Sequence, residues 1–315
     1  MKTLDAYIAD ARTIVISGHI RPDGDCIGST LGCYQYIRGN YPEKQVQVFL
    51  EEFLECFLIL PGADRIRHDD PPLDAPDLFI SLDAASADRL GKTRQYLESA
   101  AHTLCIDHHV SNPGFAQENI IRADASSACE VLYELLEPAH LNTETAQCLY
   151  TGIIHDTGVF QYASTSPRTM EIAASLMRFG FDHNRLIDET FNLKTYEQNR
   201  IAGKSLDQAR LYLDGKVIFT ALTAEDLEEY HVQPKHLDGI VAMMRMTRGV
   251  KVSVFMYPLR ENRYKISFRS NGVDVSSVAV KFGGGGHVRA AGCDIDGTAE
   301  EIRDQLIYEL GLILV

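Results

Sequence analysis

The chain lacks a long apolar run. None approaches the roughly 20 residues that a helix needs to cross a bilayer, so no membrane span is expected. Its opening segment, MKTLDAYIADARTIVISGH, lacks the basic, apolar and small-residue succession of a signal peptide, and a cytoplasmic protein is expected. Cys-x-x-Cys pairs are absent. The seven cysteines (Cys26, Cys33, Cys56, Cys105, Cys129, Cys148 and Cys293) are odd in number and scattered. That argues against a disulfide framework or a zinc ribbon and fits buried, reduced thiols. Internal repeats and low-complexity segments are missing too. Basic residues are in deficit: 30 Lys and Arg stand against 44 Asp and Glu, a formal net charge of −14. This argues against a long nucleic acid as partner, because an extended phosphate backbone is held by Lys and Arg.

What is present is an ordinary globular composition. The 315 residues are 45% hydrophobic, a length that suits about two domains. In the first half, IVISGH (14–19), VQVFL (46–50), LFISLD (78–83) and TLCIDHH (103–109) read as buried strands. Helical patterns run over about 24–37, 128–136, 145–154 and 167–179. Strands alternating with helices predict an α/β domain with a parallel sheet and helices on both faces. In such sheets ligands bind beyond the carboxyl ends of the strands.

A weakly periodic stretch over 186–213, rich in Asn, Gln, Lys and Arg, reads as a connecting helix. KVIFTAL (216–222) opens a second unit. VKVSVFMY (250–257) and RYKISFRS (263–270) look antiparallel, and a short helix over 275–281 leads into GGGGH (283–287). A final amphipathic helix covers 298–310, with Thr298 as N-cap and Glu301 three residues on. Met243, Met244 and Met246 read as packing residues.

Acidic and imidazole side chains gather at the predicted strand ends. HIRPDGDCIGS supplies His19, Asp23 and Asp25 on the loop after the first strand. Asp83 ends ISLD, and Asp107, His108 and His109 end the CID strand. Asp156 lies beside His155 in GIIHDTGVF. Crowded carboxylates resist full ionisation, and bound cations remove that penalty. Two ions about 3.5–4 Å apart would share one carboxylate and activate a hydroxide between them, and Asp83 is the candidate bridge. A mixed carboxylate and imidazole shell favours Mn²⁺, while Mg²⁺, Co²⁺ and Fe²⁺ also fit. A lone Asp-Gly-Asp is more often a turn. Four clusters coinciding at strand ends make that bland reading the weaker one.

These residues resemble a known family. HIRPDGDCIGS, SLDAASADRL, IDHH and GIIHDTGVF are similar to the four motifs of the DHH phosphoesterase superfamily, and GGGGHVRAAG resembles the signature of its associated C-terminal domain. The resemblance covers almost the whole chain and is nearest to the compact oligoribonuclease and pAp phosphatase branch. It implies that His19, Asp23 and Asp83 hold one Mn²⁺, and that Asp25, Asp83, His108 and Asp156 hold the other. It gives His109 a place facing the phosphate and Asp107 the task of orienting the neighbouring histidines. It implies a metal-binding domain over 1–188, a helical linker over 189–212 and a smaller α/β substrate-binding domain over 213–315, with the active site in the cleft between them. Homodimers are common in the family.

For substrate, FRSNG (268–272) offers Arg269 as a bidentate phosphate fork and Ser270 as a second donor. Gly284, Gly285 and Gly286 would let a phosphate or base approach the backbone, with His287 adding a donor. Ser126 and Ser127 suit an anion at a helix N-terminus, and capping explains them equally well. Tyr162 and Arg168 are weaker site candidates, better explained as structural. The expected substrates are short RNA or DNA oligonucleotides, dinucleotides such as pApA or pGpG, and pAp. Two alternatives stay open: a family II-like inorganic pyrophosphatase and a non-catalytic nucleotide-binding regulatory module.

Overall fold

The computed structural model describes residues 2–70 and 74–314, in two units that divide between Leu193 and Lys194. The first unit is built on strands β1 (Thr13–Ser17), β2 (Gln45–Phe49), β3 (Ile66–Arg67), β4 (Leu78–Leu82), β5 (His102–Asp107) and β6 (Glu118–Ile121). They form one sheet in the order β3-β2-β1-β4-β5-β6, and every pairing is parallel. The order reverses between β1 and β4. In open α/β sheets that switch point is where ligands bind.

Helices α1 (Leu4–Ile8), α2 (Gly24–Asn40), α3 (Tyr96–Ser99), α4 (Ala128–Leu135), α5 (Thr143–Asp156), α6 (Pro167–Met177) and α7 (His183–Ile187) complete this unit. Alternate residues of β1 serve the two faces of the sheet. Ile14 and Ile16 enter a large core with Ile27, Leu31, Leu132, Leu149 and Ile153 from the helices. Val15 enters a small one with Phe79, Leu90 and Tyr96. The second face is thus covered by a 3₁₀ segment over 87–95 and the short α3, where no periodic helix was legible.

The second unit holds α8 (Tyr196–Asp207), α9 (Ala224–Glu229), α10 (Ile240–Arg245), α11 (Ser276–Lys281) and α12 (Ala299–Ile313). Its strands are β7 (Arg210–Tyr212), β8 (Val217–Ala221), β9 (Val252–Arg260), β10 (Arg263–Ser270), β11 (Gly285–His287) and β12 (Ala290–Asp296). Their order is β11-β12-β10-β9-β8-β7. Only β8 and β9 pair in parallel among these. Val217, Val254 and Phe268 pack on α11 and α12, while Ile218 and Phe255 pack with Val241 and Met244 of α10.

Several sequence expectations change. The stretch over 186–213 is not one helix. It passes through a π turn (Asp188–Asn192), extends at Leu193, and restarts where Thr195 and Gln198 cap α8 reciprocally. The glycine run, read only as a backbone cradle, also holds an edge strand, Gly285–His287, on β12. Met244 is buried as expected, but Met246 is 68% exposed. Thr298 and Glu301 form the predicted capping box on α12. Among the described residues, no helix is long and apolar enough to cross a membrane.

Candidate metal centre

The loop after β1 and the start of α2 bring three of the site residues together. Asp23 and Asp25 were expected on one loop, but they occupy different structural positions. Asp23 is the N-cap of α2: its Oδ1 accepts from the Asp25 and Cys26 amides at 3.1 Å, leaving Oδ2 3.6 Å from His19 Nε2. Asp25 lies in the first turn of α2 and is completely buried. Its Oδ2 accepts from the Ala128 amide at 2.6 Å and its Oδ1 from the Cys129 amide at 3.0 Å. The N-terminus of α4 therefore does hold an anion, and that anion is Asp25. Ser127 is the helix cap, accepting from the Glu130 amide.

Asp83 follows β4 with φ +54°, a conformation that side chains rarely adopt outside functional or turn positions. Its amide still bonds the Ile106 carbonyl of β5 at 3.1 Å, so the backbone turns while attached to the sheet. The carboxylate then faces two ways. Oδ2 lies 3.4 Å from His19 Nε2, and Oδ1 lies 3.5 Å from His108 Nε2. His108 Nε2 is also 3.2 Å from Asp156 Oδ2 and 3.9 Å from Asp25 Oδ2. The structure thus brings His19, Asp23, Asp25, Asp83, His108 and Asp156 into one cluster, with Asp83 common to its two halves.

The charges are mutually dependent. Burial works against protonating His19, but the Asp23 and Asp83 carboxylates outweigh it and hold the imidazole up to about 10. Burial likewise opposes His108, and Asp83, Asp25 and Asp156 raise it to about 10. Burial and the Asp83 charge push Asp25 up to about 7. Removal from solvent, with repulsion from Asp25 and Asp83, pushes Asp156 well above the usual carboxylate range. Asp83 Oδ1 is buried without a hydrogen-bond partner. A buried orphan acceptor amid imidazoles and carboxylates is what a cation site leaves when only protein groups are counted, and the donor set fits divalent metals.

His109 stands beside this cluster. Its Nδ1 bonds Asp107 Oδ1 at 2.8 Å, and Asp107 is fully buried. Asn112 donates to Asp107 Oδ2 at 2.6 Å and to the Ala84 carbonyl at 3.0 Å. Burial would raise Asp107, but its bonds to His109 and Asn112 hold it below the usual range. Asn112 was missed in the sequence, although its place three residues after His109 was a usable signal. Gly152 was missed as well: a Cβ there would lie 2.6 Å from Asp25 Oδ1 and 2.2 Å from Cys129 Sγ. His155 points elsewhere, stacking at 5.0 Å on Phe57 with Nε2 3.1 Å from Thr190 Oγ1. Tyr162 is 44% exposed, and Arg168 is occupied by Glu134 and Glu171.

In the second unit, Arg269 is partly buried and donates from Nη1 to the Phe268 carbonyl at 2.9 Å. It lines a cavity of about 140 Å³ with Lys235, Phe255 and Tyr257. Ser270 is buried, and its hydroxyl donates to the Val273 carbonyl at 2.5 Å. The glycines divide in role. Gly284 and Gly286 have no room for a Cβ because the β12 backbone lies against them, whereas Gly285 faces open space. His287 ends β11 on an exposed edge.

A parallel sheet with carboxylates and imidazoles gathered at its switch point has the donor set of a divalent-metal site. The DHH family N-terminal domain profile matches residues 13–153, and the DHHA1 domain profile matches 214–310. The bifunctional oligoribonuclease and PAP phosphatase NrnA of Thermus thermophilus is 30% identical over 94% of this chain and 90% of its own. The Bacillus subtilis protein of the same name is 28% identical over 90% and 89%. A crystal structure of an exopolyphosphatase-related protein from Bacteroides fragilis superposes with a TM-score of 0.91 at 27% identity, covering 98% of this chain and 95% of that one. The chain belongs to the DHH family, in the form that carries a C-terminal DHHA1 domain.

Proposed function

We propose that this chain is a metal-dependent phosphoesterase. It hydrolyses very short oligonucleotides, including linear dinucleotides such as pApA and pGpG, to 5′-mononucleotides, and pAp to AMP and phosphate. The observation that carries this reading is Asp83, with one oxygen toward His19 and the other toward His108. The two relatives named as oligoribonuclease and PAP phosphatase, each matched over nine-tenths of the chain, support the substrate class.

In this reading His19, Asp23 and Asp83 hold one cation, and Asp25, Asp83, His108 and Asp156 hold the other, with Mn²⁺ the preferred metal. When bound, such ions lower the pKa of a coordinated water and neutralise charge on the phosphoryl oxygens. His109 faces the phosphate. Its Nδ1 is committed to Asp107, which leaves Nε2 to donate or shuttle a proton as charge develops. Residues 1–188 act as the metal-binding domain, 189–212 as the link and 213–315 as the substrate-binding domain. Arg269, Ser270, Gly284, Gly285, Gly286 and His287 hold the nucleotide. Ser270 must first release the Val273 carbonyl. The cytoplasm is the location this reading assigns to the enzyme.

The test is a substrate panel with Mn²⁺ or with EDTA: pAp, 5′-labelled pApA and pGpG, and pyrophosphate. Metal-dependent release of mononucleotide from the nucleotides is expected. Turnover of pyrophosphate alone, or binding without turnover, would overturn the reading.

A further inference from the structure

Glu130 is a buried carboxylate held by neutral donors. It is 4% exposed, and Arg122 and Arg168 pair instead with Glu134, one turn further along α4. Among the described residues no ion pair reaches Glu130. A buried charge is costly unless its acceptors are filled. Here one oxygen, Oε2, takes three neutral donors: the Ser126 amide at 3.2 Å, the Ser126 hydroxyl at 2.5 Å and the Thr169 hydroxyl at 2.8 Å.

Those donors have a common consequence. Ser126 immediately precedes Ser127, the cap of α4, and Thr169 lies in the first turn of α6. Glu130 therefore fastens the entry of α4 to the entry of α6. The next two amides in the chain, those of Ala128 and Cys129, are the pair that grips Asp25. A displacement of this entry by a few tenths of an ångström would loosen the 2.6 Å bond to Asp25 Oδ2.

We infer that Glu130 is a positioning residue for the metal centre, acting through the Ala128 and Cys129 amides to hold the Asp25 carboxylate in its ligating orientation. Glu130 is not among the residues proposed to hold the cations. This rests on the reading of Asp25 as a metal ligand. Residues that orient a ligand from behind commonly change metal affinity by about 10–100-fold.

The experiment is calorimetric titration of metal-free protein with Mn²⁺, comparing wild type with Glu130→Ala, Glu130→Gln and Thr169→Val. Wild type is expected to bind two ions. Glu130→Ala should weaken one of them by about tenfold or more and leave the other unchanged. Glu130→Gln keeps an acceptor oxygen for the same donors and should recover most of the loss. Thr169→Val removes one of the three donors and should fall between, which keeps the test open if Glu130→Ala fails to fold. A folded Glu130→Ala, or Thr169→Val in its place, with both affinities unchanged would reduce Glu130 to a helix cap and overturn the inference. Wild type that binds no Mn²⁺ would overturn the inference and the metal reading together. Wild type that binds two ions but hydrolyses no nucleotide would overturn the proposed activity alone.

Discussion

Asp83 shows what a single residue contributes. Its backbone strain is tolerated because the amide stays bonded to β5 while the side chain serves two groups of ligands. The imidazoles around it are held charged by the neighbouring carboxylates. His19 and His108 sit at about 10, above their ordinary 6.5, and Asp25 at about 7, above its ordinary 3.8. A raised folded value means that the contributed stability is present below the unfolded value and is lost as pH rises through the folded one. Metal-free protein should therefore lose stability through the Asp25 window, about 4 to 7, and further through the His window, about 6.5 to 10. Mn²⁺ should raise Tm more at about pH 9 than at about pH 6, because binding displaces protons from His19 and His108. A thermal-melt series with and without Mn²⁺ checks this, and a shift independent of pH would contradict it. In the proposed reading Arg269 binds substrate and ligates no metal, so Arg269→Ala should raise KM for pAp and spare kcat. Steady-state kinetics decide this, and an unchanged KM removes Arg269 from the site. Residue types were legible at this scale: the carboxylates and imidazoles of the cluster stood out by their places at the ends of strands or helices. Asn112, Gly152 and Glu130 were not. They act through other residues, and that shows only when the chain is folded.

At the scale of elements, the cluster depends on how closely α2 and α5 approach. A Cβ on Gly28 of α2 would lie 2.6 Å from the Cys148 carbonyl of α5, and one on Gly152 would strike Asp25 and Cys129. The two glycines let the helices meet backbone to backbone, which sets Asp25 near Asp156 across the Gly152 contact. Gly152→Ala should cost about 1–3 kcal/mol by overpacking and should also weaken Mn²⁺ binding. Denaturant melts and metal titration measure the two effects separately, and wild-type metal affinity in the folded variant would show that the approach has slack. Strands β1, β4 and β5 were legible because buried parallel strands are continuous apolar runs, and β2 by the apolar residues that close it. β3 is two residues long and β6 is exposed or half-buried throughout, so neither left such a run. No strand was legible in the glycine run because glycine disfavours strands, yet β11 forms because glycines permit its tight seat on β12.

At the scale of the whole molecule, the −14 balance and the two-unit length describe one design. Four of the acidic charges, Asp23, Asp25, Asp83 and Asp156, stand where two divalent cations would cancel them. The remaining acidic excess argues against a long polyanion as substrate. Dinucleotides should therefore be hydrolysed much faster per end than a single strand of twenty or so nucleotides, with rates falling as length grows. Product analysis over a length series checks this, and equal rates would contradict it. The central claim is narrower: one carboxylate joins two cation sites that together drive hydrolysis. The most direct measurement is the turnover of 5′-labelled pApA, together with bound Mn²⁺ per chain, in wild type and Asp83→Ala. The account predicts about two ions and AMP release in wild type, and a folded variant that loses both bound metal and activity. Near-normal turnover by Asp83→Ala with its Mn²⁺ still bound would contradict it.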